Sequence, residues 1–355
     1  MEHRLSFSCD YLEGAHPAIL QRLCETNFAQ TAGYGTDEYC ESAREKIRAA
    51  CGAPNAEIHF LVGGTQTNAT VIDALLRSYE GVIAADTGHI SVHEAGAIEF
   101  GGHKVLTLPQ ENGKITASQI CALLDQYEDD ANRDHTVMPG MVYLSQPTEY
   151  GTLYSKKELA AISALCREKR LPLYIDGARL AYALACPEND VTLRDLAALC
   201  DIFYIGGTKC GALLGEAVVI PQPGLIPHFF TIIKQHGALL AKGRLLGIQF
   251  DTLFTDGLYE RIGKDAVRYA DAIRRAMAEN GYLPCFPSPT NQSFCIVSEQ
   301  QRKELAERVD FSVWEQYDET HSIIRFATSW ATREEGVNAL CRILRECTAQ
   351  EKAAS

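Results

Sequence analysis

The chain has 355 residues, 46% of them hydrophobic, enough apolar side chain to fill one large core and a smaller second one; a disordered polypeptide is excluded. A formal charge of −13 removes the electrostatic basis for a nucleic-acid or anionic-membrane partner. The 13 cysteines are odd in number and form no C-x-x-C pair, and most lie in apolar stretches, as at Cys166, Cys200, Cys295 and Cys341, so free thiols are expected and no metal site. That usage suits a reducing compartment. The start, Met1-Glu2-His3-Arg4-Leu5, lacks the apolar core of a signal peptide, and no stretch approaches the roughly 18 apolar residues of a membrane span. A cytoplasmic protein with no membrane partner is expected.

Short β-rich runs alternate with helical patterns through the first two-thirds of the chain, the signature of βαβ units and a largely parallel sheet. The runs predict strands at 57–62, 82–85, 104–108, 141–146, 172–175, 202–205 and 217–220. Helical spacing of apolar residues over 65–79 and 156–169 supplies helices to cover the sheet, and Ser155 offers a hydroxyl cap to the second. From 237 to 280 the pattern is helical, with a break at Thr255-Asp256-Gly257. Strand, helix, strand and helix follow at 294–297, 299–309, 323–328 and 333–345. The expected organisation is an N-terminal segment (1–20), a large α/β domain (21–245), a helical connection (246–280) and a small α+β domain (281–355), without internal repeats.

Ligands of open α/β sheets collect at the carboxyl ends of the strands, which gives weight to three segments. Gly63-Gly64-Thr65-Gln66-Thr67-Asn68 follows a strand and opens a helix, so its backbone N–H groups and the Thr65 hydroxyl could close around a phosphate; a glycine turn capped by Thr65 is the plain alternative. Asp176 ends an apolar strand in Tyr174-Ile175-Asp176-Gly177-Ala178-Arg179, where a buried carboxylate needs a partner. A structural ion pair with Arg179 is one reading, and a bond to the pyridine nitrogen of pyridoxal 5'-phosphate (PLP) is the other. Lys209, in Gly206-Gly207-Thr208-Lys209-Cys210-Gly211, sits among glycine and apolar residues, where desolvation would lower its pKa and expose a nucleophilic amine. The spacing is not that of a P-loop, which favours a Schiff-base lysine over a phosphate-binding one.

Asp176-Gly177-Ala178-Arg179, about thirty residues ahead of Thr208-Lys209, resembles the fold-type I PLP-dependent enzymes, specifically the threonine aldolase and β-eliminating lyase family. The resemblance extends over nearly the whole chain. Phe7-Ser8-Cys9-Asp10-Tyr11 and Tyr34-Gly35-Thr36-Asp37 resemble the family's opening motifs, and Gly64-Thr65-Gln66-Thr67-Asn68 its phosphate cup. His89, ahead of Glu94-Ala95-Gly96-Ala97, resembles the ring-stacking histidine and the acidic motif after it, and Ile324-Arg325-Phe326-Ala327-Thr328 the segment whose arginine clamps the substrate carboxylate. The resemblance implies a large seven-stranded, mostly parallel sheet domain with a smaller C-terminal α+β domain, PLP as cofactor, an amino acid as substrate, and a homodimer or homotetramer with shared active sites. It implies cofactor contacts from Gly64, Thr65, Gln66, His89, Asp176, Arg179, Thr208 and Lys209, with Lys242 and Arg244 reaching the phosphate of a neighbouring subunit. Taken alone, those last two are a solvated basic face.

Two departures from the family pattern bear on the chemistry. Where many threonine aldolases carry a substrate-pocket histidine, this chain has Glu149, in Gln146-Pro147-Thr148-Glu149-Tyr150-Gly151, and a glutamate can take a proton from a β-hydroxyl if burial raises its pKa. Cys9 stands where relatives often have a serine. The reading is an aldolase cleaving L-threonine, L-allo-threonine or a related β-hydroxy-α-amino acid to glycine and an aldehyde. Lys209, His89, Glu149 and Glu94 form its catalytic set, and Cys9, Tyr34, Glu149, Arg179 and Arg325 its substrate contacts. A PLP-dependent β-eliminating lyase or aminotransferase is the nearer rival and a non-catalytic relative the more distant one.

Overall fold

The computed structural model describes residues 4–354, with side chains through residue 348; Met1–His3, part of the start discussed above, and Ser355 lie outside the described residues. Seven strands form one sheet: β1 (Glu57–Leu61), β2 (Glu80–Ala85), β3 (Val105–Leu108), β4 (Met138–Ser145), β5 (Leu173–Asp176), β6 (Ile202–Gly206) and β7 (Glu216–Ile220). Their spatial order is β1-β7-β6-β5-β4-β2-β3. Neighbours from β3 to β6 pair in parallel, whereas β7 runs antiparallel to both β1 and β6. The predicted strands are all present and the sheet is mostly parallel.

The two faces of the sheet are sorted by the period-two alternation of strand side chains. Leu173 and Ile175 of β5, with Phe203 and Ile205 of β6, join one core with the helices Glu38–Cys51, Lys156–Lys169 and Arg244–Leu253. Tyr143, Tyr174 and Tyr204, from β4, β5 and β6, point to the opposite core, under the helices Gly64–Leu75 and Phe229–Gln235. Because both faces are covered, β5, β6 and β7 are buried along their whole length. The helix Lys156–Lys169 forms as its sequence predicts: Ser155 and Glu158 make a reciprocal capping box, and Leu159, Ile162, Ser163 and Cys166 are its buried face.

A second, antiparallel sheet has the order β10-β11-β9-β8, built from β8 (Leu283–Pro284), β9 (Gln292–Ser298), β10 (Ser312–Gln316) and β11 (His321–Ala327). It packs with the helices Lys264–Glu279, Glu299–Arg308 and Glu334–Ala354 around Phe326, Ile324, Leu340 and Leu344. Phe7 is drawn into this core, and its backbone bonds Asp310 and Ala327, which ties the N-terminal segment to the smaller sheet.

Three local expectations are corrected. The helix expected over 65–79 ends at Leu75, because the Glu80 carboxylate takes the Arg77 N–H and turns the chain into β2. The segment after 237 is not helical until Arg244: it threads past the loop at Gly33–Gly35, where a Cβ at Gly243 would lie 2.3 Å from the Gly35 nitrogen. The smaller unit contains β8 and β10 besides the expected elements; β10 has a bulge between Val313 and Glu315 that breaks the alternation by which strands are recognised. The break at Thr255-Asp256-Gly257 is present, with Asp256 and Gly257 both at positive φ. No helix among the described residues is long and apolar enough to cross a membrane.

The carboxyl ends of β5 and β6 approach each other so closely that side chains are excluded. A Cβ on Gly177 would stand 2.1 Å from the Tyr204 carbonyl oxygen. Gly177→Ala is therefore expected to lower stability by about 1–3 kcal/mol in chemical denaturation, while Gly14→Ala, which meets open space, should stay within about 0.5 kcal/mol of the parent.

Candidate active site

The carboxyl edge of the large sheet holds a cavity of about 330 Å³. Of the residues predicted from sequence, Gly64, Thr65, His89, Glu149, Asp176, Arg179, Thr208 and Lys209 line it. Tyr11, His93, Ser145, Tyr204 and Glu216 line it as well and were not predicted.

Asp176 is buried on the tyrosine face of β5, and four donors converge on it. The Tyr204 hydroxyl (2.6 Å) and the Ala178 N–H (2.9 Å) reach Oδ1; the Tyr143 hydroxyl (2.7 Å) and the Asn68 amide (3.0 Å) reach Oδ2. Burial alone would raise its pKa, but the charge of His89 and these hydrogen bonds outweigh burial and hold the carboxyl below its ordinary value. The site thus contains a fixed, buried negative charge. Of the two readings of Asp176, the ion pair with Arg179 is not formed: Arg179 turns away from Asp176 and grips Asp10 with two nitrogens, at 2.6 and 2.9 Å. Asp176 has no need of it, since its own neighbours already supply the donors.

Asp10 has no exposed surface and also accepts from the Asn291 amide at 2.9 Å. Burial opposes its charge, yet the Arg179 guanidinium and Lys209 keep its pKa at about 2. Burial likewise opposes the charge of Arg179, but Asp10 beside it drives the guanidinium pKa above its usual value. Arg325, on β11, does not line the cavity but stands behind it, its charge felt by Arg179 and His93. It donates to Gln292 and to the Ser8 carbonyl, stacks over Trp314 at 4.7 Å, and leaves its Nε buried without a partner. Among the described residues no carboxylate lies within ion-pair distance of it. Burial and the repulsion of Arg179 lower its pKa to about 10. Two guanidinium groups close enough to repel, only one of them paired with a carboxylate, leave positive charge suited to an anion.

Lys209 is buried, and burial together with the charge of Arg179 lowers its pKa, so its amine is easier to obtain as the free base. Glu149 follows the cis Gln146-Pro147 bond and accepts from the Ser145 hydroxyl (2.6 Å) and the His89 N–H (2.9 Å). Burial raises its pKa, with the charge of Asp176 adding to the effect against the Ser145 bond. Glu94 lies outside the cavity, and its Oε1 is 2.7 Å from His89 Nδ1 and 2.7 Å from the Asn68 amide. It orients the imidazole and leaves Nε2 as the ring nitrogen not engaged by that bond.

Other predicted residues stand elsewhere in the single chain. The Gln66 amide braces its own turn, accepting from Val62 and donating to the His236 carbonyl. Thr65 does not cap the helix, since Gly63 occupies the cap position and no side chain bonds there. Cys9 is half-buried beside the Tyr11 hydroxyl. Tyr34 lines a separate small cleft with Arg44 and His59. Lys242 and Arg244 line a surface cleft with Thr26 and Leu245, and Arg244 donates to the carbonyls of Thr26 and Ala29.

The missed residues had a partial signal. Tyr143, Tyr174 and Tyr204 occur near the ends of neighbouring strands at positions that period two places on one face, and a buried tyrosine hydroxyl needs a partner. Glu216 carries no such signal, because β7 is antiparallel and brings its first residue, not its last, to the ligand edge.

These residues fit PLP. The helix Gly64–Leu75 presents an uncapped N-terminus suited to a phosphate, Asp176 is an ionised acceptor suited to a protonated ring nitrogen, and Lys209 is an amine suited to an aldehyde. The cavity is within the size range of cofactor sites.

A β-eliminating lyase family profile matches residues 7–306. A low specificity L-threonine aldolase of Pseudomonas aeruginosa is 32% identical over 351 residues, covering 97% of this chain and 98% of that protein. The solved structure of Leishmania major threonine aldolase is 43% identical and superposes with a TM-score of 0.93, covering 97% of this chain and 99% of that one. A Thermus thermophilus aspartate aminotransferase mutant, at 16% identity and a TM-score of 0.72 over 97% of this chain and 91% of its own, shares the fold alone.

Asp10 generates a pH prediction. Its folded pKa of about 2 lies below the ordinary 3.8, so its contribution is fully present above the higher value and is lost as pH falls toward the lower. Asp10→Asn should cost roughly 2–3 kcal/mol near neutrality by urea unfolding, a difference that shrinks between about pH 4 and pH 2. A difference independent of pH would contradict an ionised Asp10.

Proposed function

The chain belongs to the β-eliminating lyase family, and from that premise and the contents of the cavity we propose that it is a PLP-dependent aldolase cleaving L-threonine, L-allo-threonine or a related β-hydroxy-α-amino acid to glycine and an aldehyde. The observation that carries the reading is the meeting in one cavity of Lys209, the ionised Asp176 and Glu149, a carboxyl with a raised pKa.

Lys209 would hold the aldehyde of the cofactor, Asp176 would accept from its ring nitrogen, the N-terminus of the helix Gly64–Leu75 with Thr65 and Thr208 would hold its phosphate, and His89 would lie against its ring. PLP, when bound, supplies an electron sink for the pair left at Cα when the Cα–Cβ bond breaks. Arg325 and the free donors of Arg179 seat the substrate carboxylate. Glu149, ionised, takes the proton of the β-hydroxyl, and Ser145 and the His89 backbone N–H aim its carboxylate. His89, oriented by Glu94, relays a proton or positions water at the same end of the cavity. Tyr34, Lys242 and Arg244, remote from the cavity of their own chain, act across the interface of a homodimer or homotetramer, and the protein works in the cytoplasm. β-Elimination and transamination need the same cradle but not a base at the β-hydroxyl, the place Glu149 fills. A non-catalytic relative would have no use for a desolvated Lys209.

Purified protein should absorb in the visible and release glycine and acetaldehyde from L-threonine, and Lys209→Ala should abolish both properties. Pyruvate and ammonia from serine, without glycine from threonine, would sink the aldolase reading. A second expectation concerns Glu149. Its raised pKa places an acidic limb of kcat/KM above the ordinary 4.5, with activity rising as pH climbs through it. Glu149→Gln should lower kcat on the order of a hundredfold and remove that limb.

A further inference from the structure

Glu216 is a buried carboxyl in the cavity that none of the steps above uses. Its place follows from the register of the sheet. As the first residue of β7 it is directly opposite Leu61, the last of β1, and Gly206, the last of β6. It therefore stands between the turn that opens the helix Gly64–Leu75 and the turn that carries Thr208 and Lys209. Strand order arranges the chemistry along this edge: Asp176 on β5, Lys209 after β6, Glu216 on β7, and Gly64 and Thr65 after β1. Along the edge Glu216 is thus separated from Asp176 by β6 and borders both the turn at Gly64 and Thr65 and the turn at Thr208. Its Oε2 accepts from the Gly207 N–H at 2.9 Å, and the Thr208 hydroxyl also bonds the carboxyl.

A carboxylate and a phosphate cannot share one desolvated corner while both are charged, because like charges at close range in a low dielectric repel strongly. A carboxylic acid can, since its O–H then serves as a donor to the anion. We propose that Glu216 binds the phosphate end of the cofactor as a neutral acid, donating its proton to a phosphate oxygen. This rests on the reading of the cavity as a PLP site. Burial raises the pKa of the carboxyl to about 8 against the opposing bonds of Thr208 and Gly207 and the charge of Lys209, with Asp176 adding to the rise. The titratable and charged groups facing it are Lys209 and Cys210 after β6, Asp176 and Tyr174 on β5, Tyr204 on β6 and Tyr259 on the helix Leu258–Ile262. Lys209 alone among these brings positive charge. By linkage, a bound phosphate raises the pKa of Glu216 further, and phosphate affinity falls as pH climbs and the acid ionises.

The test compares cofactor dissociation constants of wild type, Glu216→Gln and Glu216→Ala, by fluorescence, at about pH 7 and about pH 9.5, with pyridoxal, which lacks the phosphate, as the second ligand. Glutamine donates at every pH and never ionises. Glu216→Gln is expected to bind PLP within about threefold of wild type near neutrality and to show a fall toward high pH about tenfold smaller, whereas Glu216→Ala loses about tenfold near neutrality. Pyridoxal affinity should be the same in all three. Phosphorus NMR of the holoenzyme should show a phosphate shift that titrates in wild type and is flat in Glu216→Gln. The proposal is overturned if Glu216→Gln falls with pH as steeply as wild type, if it loses as much affinity as Glu216→Ala near neutrality, or if pyridoxal discriminates the variants equally. Failure of wild type to take up PLP with visible absorbance overturns the cofactor reading itself, whereas normal uptake with no effect at Glu216 overturns this inference alone.

Discussion

An ionised carboxylate buried at the end of a central strand must be ringed by donors, and the large sheet is organised around meeting that demand at Asp176. Three adjacent strands present tyrosines to one face. Two of their hydroxyls bond Asp176 directly, and the third, on Tyr174, bonds Asn68, whose amide reaches both Asp176 and Glu94. Glu94 then orients His89. One desolvated charge thereby fixes a chain of side chains from β4 to β6 and the helix Gly64–Leu75. The same close approach of β5 and β6 that aims Asp176 leaves room only for glycine at 177.

Asp10 meets a matching demand for the cations. It anchors Arg179, accepts from Asn291 beside the smaller sheet, and is carried on the N-terminal segment that crosses from that sheet to the cavity. Both sheets consequently bring a guanidinium toward the cavity, one at its wall and one behind it. Arg325 comes from β11 and Arg179 from the loop after β5, and the Nε of Arg325 is a buried donor with no acceptor among the described residues.

Four of the buried carboxyls around this cavity are driven apart in charge by their surroundings. Asp10 touches a guanidinium, and Asp176 accepts four hydrogen bonds; both are held below their ordinary range. Glu149 and Glu216 have donors but no guanidinium in contact, and burial pushes both upward. The separation leaves fixed anions at Asp10 and Asp176 and carboxyls that hold a proton more readily at Glu149 and Glu216.

The seven strands, the helix Lys156–Lys169 with its Ser155 cap, and the placement of Asp176 and Lys209 after β-rich runs were legible in the sequence, because alternation and capping are local and repeat every few residues. Membership of a PLP-dependent family was legible through the order of several motifs taken together. The partner of Arg179 was not, since Asp10 lies 169 positions away and only chain crossing brings them together. Glu216 was not, because the direction of β7 is invisible in its own residues and is decided by its pairing with β1 and β6. Sequence alone determined the strands of the large sheet and the residue types that gather at its carboxyl edge. The tertiary structure alone decided which charges meet, since burial, pairing and strand direction depend on contacts between residues far apart in the chain.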